Sequence, residues 1–247
     1  MPRIGGSFDV RIPAPPVMLD ATVTLPARPA GVVLFAHGSG SSRFSPRNRY
    51  VAGELEEAGF VTVLLDLLTP EEEAADRRGG RLRFDIPLLA ERLVHAVDWL
   101  RDAPRTRHLP LGCFGASTGA AAALVAAASR PDAVQAVVSR GGRPDLAGDA
   151  LERVHAPTLL VVGGLDAPVI AANEGALRRM RQAEVRLCVV EGATHLFEEP
   201  DALEEVADLA RAWFRVKLVG HALAGAGASG PDGDGPEPPF RQRGERW

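Results

Sequence analysis

Short, continuous apolar runs constrain this chain more than any other feature. They read "GVVLFAHG", "FVTVLLDL", "LPLGCFG", "AVQAVVS", "PTLLVVGGLD" and "VRLCVVEGATH". A strand with one wet face alternates apolar and polar side chains. A run without alternation belongs to a strand covered on both faces. Between the runs lie helical segments: Arg47 to Ala58 closing at Gly59, Ile86 to Arg101, Ser117 to Ala128, a short one over Asp145 to Arg153, Val169 to Gln182, and Asp201 to Leu218. In Ile86 to Arg101, Leu89, Leu93, Ala96, Val97 and Leu100 fall on one face. Such alternation predicts parallel strands joined by right-handed crossovers, an α/β fold whose doubly wound sheet carries helices on both faces. Ahead of it, Phe8 to Ile12 and Ala21 to Leu25 alternate around "PAPP" and predict an antiparallel pair. The charged stretch "EEEAADRRGGRLR" reads as a solvated loop.

The 247 residues, 46% of them hydrophobic, suffice for one domain with a single large core, expected over residues 1–219. From Gly220 the periodicity stops in favour of Gly, Pro and Ala, so residues 220–247 are expected to form a disordered tail. The other reading of that segment is a docking peptide ending in Phe240 and Trp247. A net charge of −4 gives no reason to expect nucleic acid or an anionic membrane as partner. There is no signal-peptide pattern and no run long enough to span a bilayer. Cys113 and Cys188 lie in strand-like runs and are expected to be buried free thiols, so a cytoplasmic location is expected.

The chemistry starts at "GASTG", a Gly-x-Ser-x-Gly placed where a buried strand passes into a helix. That turn presents Ser117 as a nucleophile and aims the backbone N–H of Thr118 at a developing oxyanion. Taken alone, the motif could equally be a small-residue hinge. A serine hydroxyl needs a base, and the base needs an orienting acid. His195 lies in "EGATHLFEEP" after the last strand, and Asp166 in "VVGGLDAPV" after the one before it. Both fall at the carboxyl edge of the sheet, where parallel sheets build their sites. Three independent placements disfavour the hinge. A second oxyanion donor is expected from "FAHGSGSS", where Gly38 and Gly40 permit close approach and the N–H of Ser39 is the donor. His37 is expected to anchor that loop.

With these residues in place the chain resembles an α/β-hydrolase, and is most similar to the dienelactone hydrolase-like group. The likeness is carried by "FAHGSGSS", "GASTGAAAAL", "VVGGLDAPV" and "EGATHLFEEP" between Val10 and Lys217. It implies a cofactor-independent hydrolase with no metal, acting on a small-molecule ester, as monomer or homodimer. Similar domains occur fused to phosphoribosyltransferases, and nothing in this chain resembles that partner. Dienelactone hydrolases proper carry a cysteine nucleophile where this chain has Ser117, which favours general ester, thioester or lactone cleavage over the namesake reaction. The connection "RGGRPDLAGDALERVHA" leaves room for one short helix, hence no large cap domain. Gly38, Arg140 and Arg143 are candidate substrate contacts. Either arginine could attract a substrate carboxylate or pair with Asp145 or Asp149 on the surface. Arg77 to Asp85 could also border the pocket.

Two other classes compete. A nucleotide-binding module would use "HGSGSS" as a phosphate loop, but Arg43 stands where the third glycine belongs and there is no Gly-Lys-Ser/Thr. A non-catalytic α/β-hydrolase-fold binding protein would be expected to have lost one of Ser117, Asp166 or His195.

Overall fold

The apolar runs become the heart of an eight-stranded sheet in a computed structural model that describes residues 4–220. The strands are β1 (Ile4–Ala14), β2 (Val17–Pro26), β3 (Gly31–Ala36), β4 (Phe60–Leu65), β5 (Leu111–Ala116), β6 (Val134–Arg140), β7 (Thr158–Gly163) and β8 (Val185–Val190). Their order is β1-β2-β4-β3-β5-β6-β7-β8. The expected leading pair is longer than its alternation suggests, and β2 joins β4 antiparallel, while every later pairing is parallel. All residues of β3, β4, β5 and β7 are buried, as unalternating runs require.

The helices are α1 (Pro46–Glu57), α2 (Pro70–Gly79), α3 (Ile86–Asp102), α4 (Thr118–Ser129), α5 (Ala167–Arg179) and α6 (Ala202–Phe214). Side chains of β3 divide by the period of two: Val33 and Phe35 pack towards α1 and α6, whereas Val32, Leu34 and Ala36 pack towards α3 and α4. The alanines of α4, Ala120 to Ala123, are wholly buried. Their small size lets that helix run close beneath the sheet and holds its first turn against the site.

Three expectations are corrected. The charged stretch after β4 contains a helix, α2, rather than a loop. Thr69 caps it through a reciprocal capping box with Glu72, Pro70 starts it, Glu71 to Glu73 fill its first turn, and Arg77 and Arg78 its last. Caps and dipole complementarity hold this helix, so an apolar stripe is absent. The segment expected as a helix from Asp145 is a run of 3-10 turns over Pro144–Arg153, broken at Gly148 (φ 54°). It packs against α4 and α5. Cys113 is buried and free, but Cys188, also free, is only partly buried because β8 is the edge strand. The expected tail falls outside the described residues, apart from Gly220.

Candidate active site

Ser117 links β5 to α4 with φ 52° and ψ −121°. A side chain at positive φ costs roughly 1–3 kcal/mol, so its surroundings must enforce it. They do so through the flanking glycines. A Cβ on Gly115 would lie 2.4 Å from the Cα of Ala120, and one on Gly119 would lie 2.4 Å from the carbonyl oxygens of both Ala36 and His37. Only bare backbone passes between β3, β5 and α4 here. The Ser117 peptide is also pinned from β6: its N–H donates to the Arg140 carbonyl at 3.2 Å, and its carbonyl accepts from Arg143 N–H at 3.1 Å.

Asp166 follows β7 at the head of α5, and His195 lies in the turn after β8. His195 Nδ1 and Asp166 Oδ2 are 2.7 Å apart. A carboxylate only accepts, so Nδ1 carries the proton and the Nε2 lone pair is free to act as a base. Ser117 and His195 line one cavity of about 230 Å³ with Gly38, Ser39, Asn48 and Arg140. Among the described residues no hydrogen bond joins Ser117 Oγ to His195.

The loop after β3 forms the opposite lip. A Cβ on Gly38 would sit 3.0 Å from Ser117 Cβ, so glycine is what lets this lip approach the serine. The Thr118 N–H belongs to the first turn of α4 and has no partner within the helix. The Ser39 N–H donates to Thr118 Oγ1 at 2.9 Å, an engagement that the sequence does not reveal. His37 is buried below the loop. Its Nε2 accepts from Leu67 N–H at 3.0 Å, which leaves Nδ1 to donate to the Gly38 carbonyl at 2.9 Å. Burial lowers its pKa below the usual histidine value, against smaller opposing effects of the Gly38 carbonyl, Asp66 and Glu73. A neutral imidazole is what those two bonds require.

The two candidate arginines part company. Arg143 makes a two-pronged pair with Asp145 at 2.8 and 2.7 Å on the surface, and that hydrogen bonding raises its pKa. Arg140, at the end of β6, is 7% exposed and lines the cavity with Ser117. Only its Nη2 finds a hydrogen-bond partner, Asn48 Oδ1 at a long 3.4 Å, while Nε and Nη1 are buried without one and the guanidinium lies 5.9 Å from the centre of the Phe197 ring. Burial first, then the neighbouring Arg47, pushes its pKa down to about 10. Arg47 and Asn48, on the first turn of α1, were invisible as site residues, since the helical pattern alone marked them. On the far side of the Gly38–Ser41 lip, a second cavity of about 270 Å³ is bordered by Leu67, Leu68, Leu89, Asp76, Arg77 and Arg83. Its charged wall comes from α2 and the turn after it.

Strand order, the strained serine between β5 and α4, and an aspartate–histidine pair after β7 and β8 together define the α/β-hydrolase class. Within that class the chain belongs to the dienelactone hydrolase family, which it matches over residues 19–219. It is 59% identical to a dienelactone hydrolase of Anabaena variabilis whose crystal structure superposes with a TM-score of 0.84, covering 86% of this chain and 98% of that one. Est1E of Butyrivibrio proteoclasticus shares the fold at 16% identity, with a TM-score of 0.69 over 85% of this chain and 98% of its own. A Mycobacterium tuberculosis H37Rv protein provisionally named a phosphoribosyl transferase is 56% identical over 222 residues, 90% of this chain but 48% of its own length. The chain thus spans about half of that relative. A Bradyrhizobium protein, provisionally named a 2-oxo-3-(5-oxofuran-2-ylidene)propanoate lactonase, is 31% identical over 168 residues, 60% of this chain and 66% of its own. No helix among the described residues is long and apolar enough to cross a membrane.

Proposed function

We propose that this chain is a serine hydrolase that cleaves carboxylic esters, thioesters or lactones through an acyl-enzyme on Ser117. The observation that carries the reading is the strained Ser117 sharing one cavity with His195, whose Nδ1 proton is held by Asp166. His195 Nε2 takes the hydroxyl proton as Ser117 Oγ attacks the acyl carbon. The carbonyl oxygen becomes an oxyanion between the N–H groups of Thr118 and Ser39, the latter exchanging Thr118 Oγ1 for the substrate. Collapse breaks the bond to the leaving oxygen or sulfur, which receives the proton from the imidazolium. Water, deprotonated by His195, then releases the acid and restores Ser117. The lactonase name of the Bradyrhizobium relative supports the bond type.

No step calls on a metal or cofactor. Cys113 offers no alternative nucleophile, since burial pushes its thiol up to about 12. Replacing Ser117 with alanine is expected to lower p-nitrophenyl acetate turnover at least 10⁴-fold, roughly the effect of losing a serine nucleophile, with circular dichroism unchanged. Retained turnover in that variant ends the proposal. The engaged Ser39 N–H favours a non-catalytic binding protein as the second reading. In that case a fluorophosphonate probe would leave Ser117 unlabelled.

A further inference from the structure

We propose that the leucine-lined second cavity is an acyl subsite, which takes a short, uncharged, apolar chain on the acyl side of the substrate. As a substrate assignment this rests on the hydrolase reading, although the cavity's affinity for an apolar chain does not. The cavity, about 270 Å³, shares Gly38, Ser39 and Ser41 with the serine cavity, so one strip of backbone borders both. Thr118, next to Ser117 in the chain, lines it as well. Its volume lies below the range of pockets built for large ligands, which limits the occupant to a short chain.

The lining sets the chemistry of that chain. Leu67, Leu68 and Leu89 are buried and line the cavity. The polar groups around them are already engaged. Asp76 pairs with Arg83 at 2.5 Å and accepts from Leu82 N–H at 2.7 Å. His37 uses both ring nitrogens, and Thr118 Oγ1 accepts from Ser39 N–H. Glu73 and Arg77 stand one turn apart on α2 with opposite charge. Two acids and two bases therefore cancel around the cavity, and a charged occupant would lose its water without finding a net partner.

Direction sets which part of the substrate enters. The leaving group takes its proton from His195 and stays on that side of the serine. Among the described residues His195 lines the serine cavity alone. The carbonyl oxygen, held by the N–H groups of Ser39 and Thr118, lies at the shared strip. An acyl chain leaving the carbonyl carbon away from His195 passes that strip and meets the leucines.

Two measurements test this. In the first, kcat/KM is compared for p-nitrophenyl butyrate, hexanoate and hemiadipate, the last ending in a free carboxylate. Hexanoate is expected to exceed butyrate by roughly tenfold, because each buried CH₂ group is worth about fourfold. It should also exceed the hemiadipate of equal length by at least about tenfold, the cost of leaving a carboxylate unmatched. Leu68→Phe fills the cavity and should bring the hexanoate-to-butyrate ratio towards one. Leu68→Ala enlarges it and should extend the preference to octanoate, so the test stands if Leu68→Phe fails to fold. Equal rates for hexanoate and butyrate, a preference for the hemiadipate, or ratios untouched by either variant would overturn the proposal.

In the second, an NMR titration follows 1-hexanol binding to the Ser117→Ala protein. Shifts centred on the methyl signals of Leu67, Leu68 and Leu89 support the subsite, with those of Leu67 and Leu89 lost in Leu68→Phe. Shifts centred elsewhere, or none, overturn it. If no ester turns over, the hydrolase reading fails and the titration still judges the cavity. If esters turn over without chain-length preference and hexanol leaves the leucine methyls unmoved, the subsite fails and the hydrolase stands.

Discussion

Arg92 and Arg140 are both buried, at 4% and 7% exposure. Arg92 spends its donors on both oxygens of Glu72 and on the Leu67 carbonyl, at 2.5 to 2.6 Å. It ties α3 to α2 and to the segment just after β4. Arg140 has one long bond and two idle nitrogens. Equal burial of the same side chain thus serves two ends. Where the partners are supplied internally the charge ties elements together, and at Arg140 most of them are missing.

The largest expected effect lies on the satisfied side. Arg92→Met should lower the unfolding free energy by about 3–5 kcal/mol in chemical denaturation, because Glu72 is left without its cation. Arg140→Met should change it by less than about 1 kcal/mol or raise it, since an unpaired buried charge is being removed. Similar losses in the two variants would erase the contrast. His37, also on the satisfied side, should give an acid-sensitive contribution. Burial lowers its folded pKa below the unfolded value of 6.5, so the unfolded chain protonates first. Its contribution is complete above that value and is lost as pH falls through the folded pKa, at no more than about 1.4 kcal/mol per pH unit. Denaturant midpoints at pH 7 and 5 should differ less in His37→Gln than in the wild type, and an unchanged difference would count against the anchoring role. Smallest is Thr118→Val, which strands the Ser39 N–H. It should cost about 1 kcal/mol, a shift of roughly 2–4 °C in melting temperature.

Residues whose place follows from position along the chain were legible in the sequence. A buried strand announces itself by lacking alternation, so the parallel sheet could be read. Ser117, Asp166 and His195 could be placed because each ends a strand at the carboxyl edge. Features that depend on where a side chain turns could not. Arg140 and Arg143 look alike in "SRGGRPD", yet Arg140 closes the buried strand β6 and faces inward, while Arg143 lies just beyond it beside Asp145. Helix α2 was hidden for another reason, because electrostatics and caps replace the apolar stripe that sequence periodicity detects. Arg47 and Asn48 were hidden by distance, reaching the site from α1, which no strand-end argument brings near Ser117.

The hydrogen bond from Ser117 N–H to the Arg140 carbonyl joins the strained serine to the backbone of the arginine beside it. Adjacent strands in register cannot slide, so the spacing between the backbones of Ser117 and Arg140 is set by the sheet itself, whatever their side chains do.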